Sequence, residues 1–150
     1  MNREQIKAIL PHREPMLLLD SAEVVEGEGG TKRAVGTYTV TGDEYFVQGH
    51  FPKNPVVPGV IQCEMMAQTC CVLFAGQTKG ATPYFTGLNN VKFKRVVNPG
   101  DTLRFECEIT RARSVFFFAT GKGYVGDELA VKGEFSFALV PDESAEKAGE

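Results

Sequence analysis

Two side chains suited to acid–base chemistry, His50 and Glu64, lie in one short stretch of the chain. His50 precedes Phe51-Pro52, whose apolar groups would partly dehydrate the imidazole ring and favour the neutral form that acts as a base. Glu64 is the only charged residue between Lys53 and Lys79. Desolvation of a carboxyl group favours its protonated form, which a general acid needs. The two residues therefore predict an acid–base site.

Each of these residues also has a plainer explanation. A glutamate near a helix start can be compensated by the helix dipole or by an arginine from elsewhere, and the residues alone leave the two interpretations of Glu64 evenly balanced. A lone histidine is more often structural than catalytic, and of the two histidines we expect His12 to be the structural one, anchoring the first loop. Gln68, one helical turn beyond Glu64, is placed to hydrogen-bond its carboxyl group.

Pro58-Gly59 begins a helix between these two residues, and the first amides of a helix have no partner within it. Gly59 has no side chain to obstruct a carbonyl oxygen that approaches these amides. The segment therefore predicts a base, an acid and an oxyanion site together. The alternative is a helix start that needs a tight turn for structural reasons alone.

The elements that must hold these residues are a loop and a helix. Three prolines between Phe46 and Gly59 exclude a regular helix or central strand through that segment, so we expect an ordered loop. Val60 to Ala75 is apolar on nearly every face, which predicts a helix buried in the middle of the fold. Glu64 and other polar residues interrupt this run, so it is too short for a membrane span.

The rest of the chain reads mainly as strands. Leu103, Phe105, Cys107 and Ile109 alternate with polar residues, as in a half-buried antiparallel strand. Asn2 and Gln5 predict the cap of a short first helix. The other predicted strands are Met16 to Glu26 paired with Thr31 to Thr41, Val115 to Tyr124, and Leu129 to Val140. Five or six strands and one apolar helix indicate an α+β fold with a curved antiparallel sheet covering the helix.

The totals indicate one globular domain. A chain of 150 residues can bury a core of its own, and we expect residues 1–141 to form the domain and 142–150 an acidic, disordered tail. The tail accounts for the net charge of −3, so the body is near neutral and unlike a general nucleic-acid binder. The chain start lacks the apolar run of a secretory signal. Four cysteines inside apolar patterns fit reduced core residues of a cytoplasmic protein.

Several motifs follow one another in the order of a known family. Gly49-His50-Phe51-Pro52, Pro55-Val56-Val57-Pro58-Gly59-Val60 and Glu64-Met65-Met66-Ala67-Gln68 resemble FabZ-type 3-hydroxyacyl-[acyl carrier protein] dehydratases. Leu10-Pro11-His12-Arg13-Glu14-Pro15 and Asn98-Pro99-Gly100-Asp101 are similar to that family as well, so the resemblance covers almost the whole chain.

The resemblance implies the hot-dog fold, in which a long antiparallel sheet wraps around one central apolar helix. It also implies a homodimer, which in this family can assemble as a trimer of dimers, with the histidine of one chain facing the glutamate of its neighbour. His50 would take the α-proton, Glu64 would protonate the departing 3-hydroxyl group, and the Gly59 amide would polarise the thioester carbonyl. The implied acyl tunnel is lined by Phe51, Val60, Gln68 and the gate residue Tyr84. No metal or organic cofactor is implied.

The implied partner is acyl carrier protein, which is small and acidic, so a local basic face matters more than the overall charge. The candidates for this face are Lys92, Lys94, Arg95, Arg111 and Arg113, each of which is equally well explained as a solvated strand charge.

Three alternatives to a simple dehydratase stay open. A bifunctional dehydratase/isomerase of the same fold typically carries aspartate at the position of Glu64, so the glutamate favours dehydration alone. A hot-dog thioesterase would need a water-activating carboxylate in another setting. A noncatalytic acyl-binding subunit has no physical reason to keep an uncompensated acid in an apolar helix. Lys53, Cys63 and Met65 depart from the usual family pattern and leave the preferred acyl length open.

Overall fold

The computed structural model of the protein describes residues 1–49, 51–74 and 80–142. Three α-helices and six strands make up the described chain. The helices are α1 (Arg3–Lys7), α2 (Tyr45–Gln48) and α3 (Gly59–Cys71). The strands are β1 (Ser21–Glu26), β2 (Lys32–Thr39), β3 (Ala81–Phe93), β4 (Thr102–Arg113), β5 (Phe116–Val125) and β6 (Glu128–Pro141).

The six strands form one antiparallel sheet in the order β1-β2-β4-β5-β6-β3. The predicted alternation in β4 is confirmed, because Leu103, Phe105 and Cys107 are buried while the residues between them are more exposed. Positive-φ glycines at the turns, such as Gly100 and Gly126, let the chain reverse direction between long strands. One face of the sheet is therefore apolar and must be shielded from water by another element.

Helix α3 provides that cover. From Gln62 to Cys71 every residue except Glu64 is buried, and the helix contacts β2, β4, β5 and β6. Met65, Met66 and Cys70 pack in one core cluster with residues of the sheet. A helix that is apolar all round can be stable only inside such a wrap. The predicted α+β arrangement of a sheet around a central helix is therefore confirmed.

The cap of α1 also follows the prediction. The Asn2 side chain accepts from the Gln5 amide at 3.0 Å, and the Gln5 side chain accepts from the Asn2 amide at 2.9 Å. All four cysteines are free and buried, as expected of core residues. No helix within the described ranges is both long and apolar enough to cross a membrane.

Two sequence predictions about elements were wrong. The strand predicted from Met16 begins only at Ser21, because Met16 and Leu18 bond to Gln68 of α3 and do not pair with a strand. The segment predicted as loop from Phe46 starts with the end of α2, since the prolines that exclude a helix lie beyond Gln48. Asp142, assigned to the tail, bonds to Gly80 and Thr82, and residues 143–150 lie outside the described residues.

Candidate active site

Glu64 is the one residue between Gln62 and Cys71 that is not buried, because its side chain opens into a small cavity between the helix and the sheet. The side chain is 23% exposed, so it is less buried than its apolar neighbours suggested. The cavity offers about 30 Å³ to the centre of a water molecule, which is room for a water or two but not for an acyl chain. Its walls are His12, Glu64, Ala67, Gln68, Cys71, Pro83, Tyr84, Phe85 and Phe137.

The Gln68 side chain fixes one oxygen of Glu64. Gln68 Oε1 accepts from the Leu18 amide at 2.9 Å, and because a backbone N–H can only donate, the atom that it meets must be the amide oxygen. The Nε2 of Gln68 then donates to the Met16 carbonyl at 2.7 Å and to Glu64 Oε1 at 3.0 Å. The predicted bond between Gln68 and Glu64 is confirmed. Since Oε1 accepts this bond, a proton on the carboxyl group belongs on Oε2.

The loop before β1 is held against α1 by charged groups. Glu14 bonds to Lys7 at 2.7 Å and to Arg3 at 3.3 Å. The hydrogen bond from Lys7 is the main reason that the pKa of Glu14 lies at about 2. Arg13 Nη1 donates to the carbonyls of Leu10 and His12 at 2.9 and 2.7 Å. These contacts fix the backbone on both sides of His12.

His12, which the sequence suggested as structural, lies at the proposed site. Its Nε2 is 3.4 Å from Glu64 Oε1, which is longer than a normal N–H···O hydrogen bond. Its Nδ1 is buried and has no hydrogen-bond partner among the described residues. A proline-flanked histidine next to an arginine gave no sign in the sequence that it would reach a helix fifty positions away in the chain.

Two other walls of the cavity limit its chemistry. Burial, followed by the charge of Glu64, raises the pKa of Cys71 to about 12, so this thiol stays protonated near neutral pH and is a poor nucleophile. Tyr84 is 56% exposed on β3, opposite Ala138 of β6, and lines the cavity; the gate that the resemblance implies for it stays a prediction. In the described part of the chain, no cluster of three or more His, Cys, Asp or Glu side chains is placed to hold a metal ion.

Gly59 and Val60 lie on a different surface, at the start of α3. A Cβ on Gly59 would lie 2.6 Å from Cζ of Phe93, so the glycine is needed for this ring to pack against the helix start. Val60 is 73% exposed and shares an open groove with Gly59, Phe93 and Val96. Neither Gly59 nor Val60 lines the Glu64 cavity. Within one subunit, the predicted oxyanion group, Gly59, and the predicted acid, Glu64, therefore line different cavities.

The second predicted catalytic residue, His50, lies outside the described residues. Phe51, which follows it, is 53% exposed and is absent from the walls of both the Glu64 cavity and the Gly59 groove. Of the residues predicted for the acyl tunnel, the structure brings Gln68 and Tyr84 to Glu64, and leaves Phe51 and Val60 elsewhere on the surface.

The predicted basic residues do not form one patch. Arg95 is paired with Glu128 at 2.7 Å and Asp101 at 3.3 Å, so it closes the turn into β4 and is a poor candidate for binding a partner. The Arg111 guanidinium lies 4.2 Å from the centre of the Phe118 ring. Arg113 is exposed near the same end of β4, whereas Lys92 and Lys94 are exposed near the end of β3.

One basic row was missed by sequence reasoning. Lys92 lies opposite Lys132 on β6, and Lys132 lies opposite Lys122 on β5. All three side chains are exposed. Their alignment depends on strand order and register, which residue spacing along the chain does not reveal.

Comparison with known proteins agrees with this arrangement of elements. Residues 10–134 match the model of the FabA-like domain family. Structures of low sequence identity share the fold: the dehydratase heterocomplex ApeI:P from Xenorhabdus doucetiae aligns with a TM-score of 0.75 at 20% identity, covering 95% of each chain. The fluoroacetyl-CoA thioesterase FlK aligns with a TM-score of 0.65 at 16% identity, covering 83% of this chain and 96% of that one.

Curated relatives are much closer in sequence. A 3-hydroxyacyl-[acyl-carrier-protein] dehydratase FabZ from Clostridioides difficile is 47% identical over 142 residues, covering 93% of this chain and 98% of the relative. The protein of the same name from Thermomicrobium roseum is 47% identical over 143 residues, covering 94% of each chain. With a family match from residue 10 to 134 and relatives of this identity along nearly its full length, the chain belongs to the FabA-like domain family, as a FabZ-type dehydratase.

Proposed function

We propose that this protein removes water from 3-hydroxyacyl groups carried on acyl carrier protein, giving the trans-2-enoyl thioester, in fatty acid biosynthesis. The observation that carries the proposal is the single carboxyl group of α3, Glu64, which opens into a cavity from the part of the helix that is otherwise buried, Gln62 to Cys71. The activity named for the FabZ relatives is the one that such a group serves, because elimination of a hydroxyl needs a proton donor beside it.

The elimination uses two groups. His50 removes the proton from the carbon next to the thioester carbonyl, and the electrons of that C–H bond form the C2–C3 double bond. The C3–O bond breaks, and Glu64 gives its proton to the leaving hydroxyl group, which departs as water. His50 has then gained one proton and Glu64 has lost one, so exchange with water restores both. Water in the small cavity can carry the Glu64 proton across a gap.

Gly59 supports the same step at the carbonyl. Its amide belongs to the first turn of α3 and has no hydrogen-bond acceptor among the described residues. An N–H group at a helix start stabilises negative charge on an oxygen, which is the charge that develops when the α-proton leaves.

The separation of Gly59 from Glu64 supports a site completed by a second subunit. Within one chain the Glu64 cavity has no room for an acyl chain, and the Gly59 groove is open to solvent. We expect the partner's helix start and His50 loop to face Glu64 across the interface of a homodimer. Three such dimers can assemble further into a hexamer.

Strand β3 is the surface that suits this interface. It is thirteen residues long, pairs with β6 on one side, and its other edge is unpaired within the described chain. None of its residues is buried, although Tyr84, Phe85, Leu88 and Phe93 are large and apolar or aromatic. A long, apolar, exposed edge is a liability unless another strand covers it. A two-fold axis beside β3 would pair it with its own copy.

The substrate-bearing partner is acidic, so the exposed cations supply the attraction. Lys92 and Lys94 lie near the Gly59 groove, at the end of β3, and Arg111 and Arg113 lie at the far end of β4. We expect these four residues, without Arg95, to contribute to carrier-protein binding. The four free, buried cysteines suit a reducing compartment such as the cytoplasm.

The test is turnover of crotonyl and 3-hydroxybutyryl groups on acyl carrier protein, followed by the absorbance of the enoyl thioester. We expect the wild type to catalyse both directions, and His50→Ala and Glu64→Gln each to lose at least about 100-fold in rate. Glu23→Gln is the matched control, because it makes the same chemical change at an exposed position of β1 and is expected to leave the rate unchanged.

Activity of Glu64→Gln near that of the wild type, in folded protein, would contradict the proposed role of Glu64. A wild type that binds acyl carrier protein without turnover would instead identify a noncatalytic acyl-binding subunit. An enoyl product whose double bond migrates from C2 would identify the dehydratase/isomerase alternative.

A further inference from the structure

His12 contributes to the Glu64 site without an established task. Its side chain is 18% exposed, it lines the same cavity as Glu64, and its Nε2 lies 3.4 Å from Glu64 Oε1. This is the oxygen that already accepts from Gln68 at 3.0 Å. The histidine and the glutamine therefore converge on one oxygen, from the loop after α1 and from α3.

The Nδ1 atom shows that packing does not explain this histidine. Nδ1 is one of two buried side-chain polar atoms that lack a hydrogen-bond partner in the described part of the chain. An unpaired buried polar atom costs free energy that an apolar side chain of similar size would not. The Arg13 and Glu14 contacts would hold the loop equally well with another residue at this position.

The two ring nitrogens have different surroundings. Nε2 faces Glu64 Oε1, an oxygen that already accepts from Gln68, so the geometry favours an N–H on Nε2. This N–H would be donated toward Glu64 Oε1.

We propose that His12 is a positioning residue that, with Gln68, holds Glu64 with Oε1 turned away from the substrate and Oε2 presenting the proton. The present distance of 3.4 Å would shorten to a hydrogen bond when substrate closes the site, as catalytic contacts do. This inference rests on the proposed role of Glu64 as the proton donor. The titratable groups described around the cavity are His12 from the loop, Glu64 and Cys71 from α3, and Tyr84 from β3.

A matched pair of variants tests the proposal. His12→Gln keeps an N–H near the position of Nε2, and His12→Met has a similar length without a donor. We expect His12→Met to lower kcat by about 10- to 100-fold with little change in KM, because misplacement of the acid affects the transition state. We expect His12→Gln to recover most of this loss.

Folded His12→Met with wild-type kcat would overturn the proposal. Equal loss in both variants together with a lowered melting temperature would also overturn it, because that pattern belongs to a structural residue. Glu64→Gln measured alongside separates the two claims. If Glu64→Gln is inactive and the His12 variants are unaffected, the proposal about His12 fails alone; if Glu64→Gln is active, the role of Glu64 fails first.

Discussion

The side-chain amide of Gln68 makes hydrogen bonds to neighbouring residues at both of its ends. One end accepts from Leu18, and the other donates to Met16 and to Glu64. Gln68 is fully buried, so none of these partners can turn to water if the amide is lost. The residue that orients the proposed acid thus also ties α3 to the segment before β1, and the two roles should respond together to one substitution.

Replacement of Gln68 by Met should lower both stability and activity. The variant keeps the volume but leaves the Leu18 N–H and the Met16 carbonyl buried without partners, at about 1–3 kcal/mol for each unpaired group. Because two groups lose their partner, we expect the free energy of unfolding, measured in urea, to fall by up to about twice that amount. Gln48→Met, at an exposed position of α2, is the control and should be nearly neutral. A Gln68→Met protein as stable as this control would show that the network carries little energy.

At this scale the sequence predicted contacts within an element and missed those between elements. The bond from Gln68 to Glu64 follows from helical spacing, since residues four apart face each other. The approach of His12 to Glu64 depends on how the loop after α1 folds back on α3, which no local pattern encodes. For this reason the sequence suggested only a structural role for His12, whereas the structure places its Nε2 3.4 Å from Glu64 Oε1.

Close packing of α3 on β2 sets the height of the helix above the sheet. Gly36 of β2 faces Thr69 of α3, and a Cβ added to Gly36 would lie 2.5 Å from Thr69 Oγ1 and 3.0 Å from Leu19 Cδ2. Thr69 is fully buried and its hydroxyl donates to the Met65 carbonyl at 2.9 Å. Its side chain is short, so it has little freedom to move away. Any larger residue at position 36 must push the helix outward, next to Gln68.

We therefore expect Gly36→Ala to destabilise the protein by about 1–3 kcal/mol through overpacking. The same change in a Thr69→Ala background should cost less, because both Thr69 atoms that clash are gone and only the Leu19 contact at 3.0 Å remains. Urea unfolding of the two single variants and the double variant gives the coupling energy directly. Additive effects, with no coupling between the two positions, would contradict the packing argument.

Elements with a strong local signal were predictable, and their ends were not. The α1 cap, the alternation of β4 and the apolar α3 all depend on residues within a few positions of each other. The residues Met16 to Asp20 are as apolar as a strand, yet they leave the ladder because Gln68 and Arg3 bind their backbone carbonyls and amides. A competing partner from a distant element decided that boundary.

The arrangement of the whole molecule follows from where the sheet ends. The strand order places β3 at one edge and the short β1 at the other. Sequence patterns predicted five strands without their order and gave no bounds for β3, so the exposed apolar edge of β3 was not predicted. The resemblance implies a homodimer, and the proposal of one is supported by the separation of the Glu64 cavity from the Gly59 groove in a single subunit.

Mixing two inactive variants should restore activity if each site takes His50 from one subunit and Glu64 from the other. In a dimer of one His50→Ala chain and one Glu64→Gln chain, both defects fall in one site and the second site is intact. Random pairing of equal amounts, refolded together from urea, makes half of the dimers mixed, so about a quarter of the wild-type activity should return. If each site lay within one chain, every site would carry a defect and no activity would return.

The same mixture tests which edge forms the interface. Leu88→Arg places a charge on the exposed edge strand β3, and Val24→Arg makes a similar change on the opposite edge strand β1. If β3 pairs with its copy, Leu88→Arg in both chains should abolish the recovered activity and shift the sedimentation coefficient toward the monomer, because unpaired charges are buried at the interface. Val24→Arg should leave both readouts unchanged. The reverse result would assign the dimer interface to β1, on the side of the sheet away from Tyr84 and the Glu64 cavity.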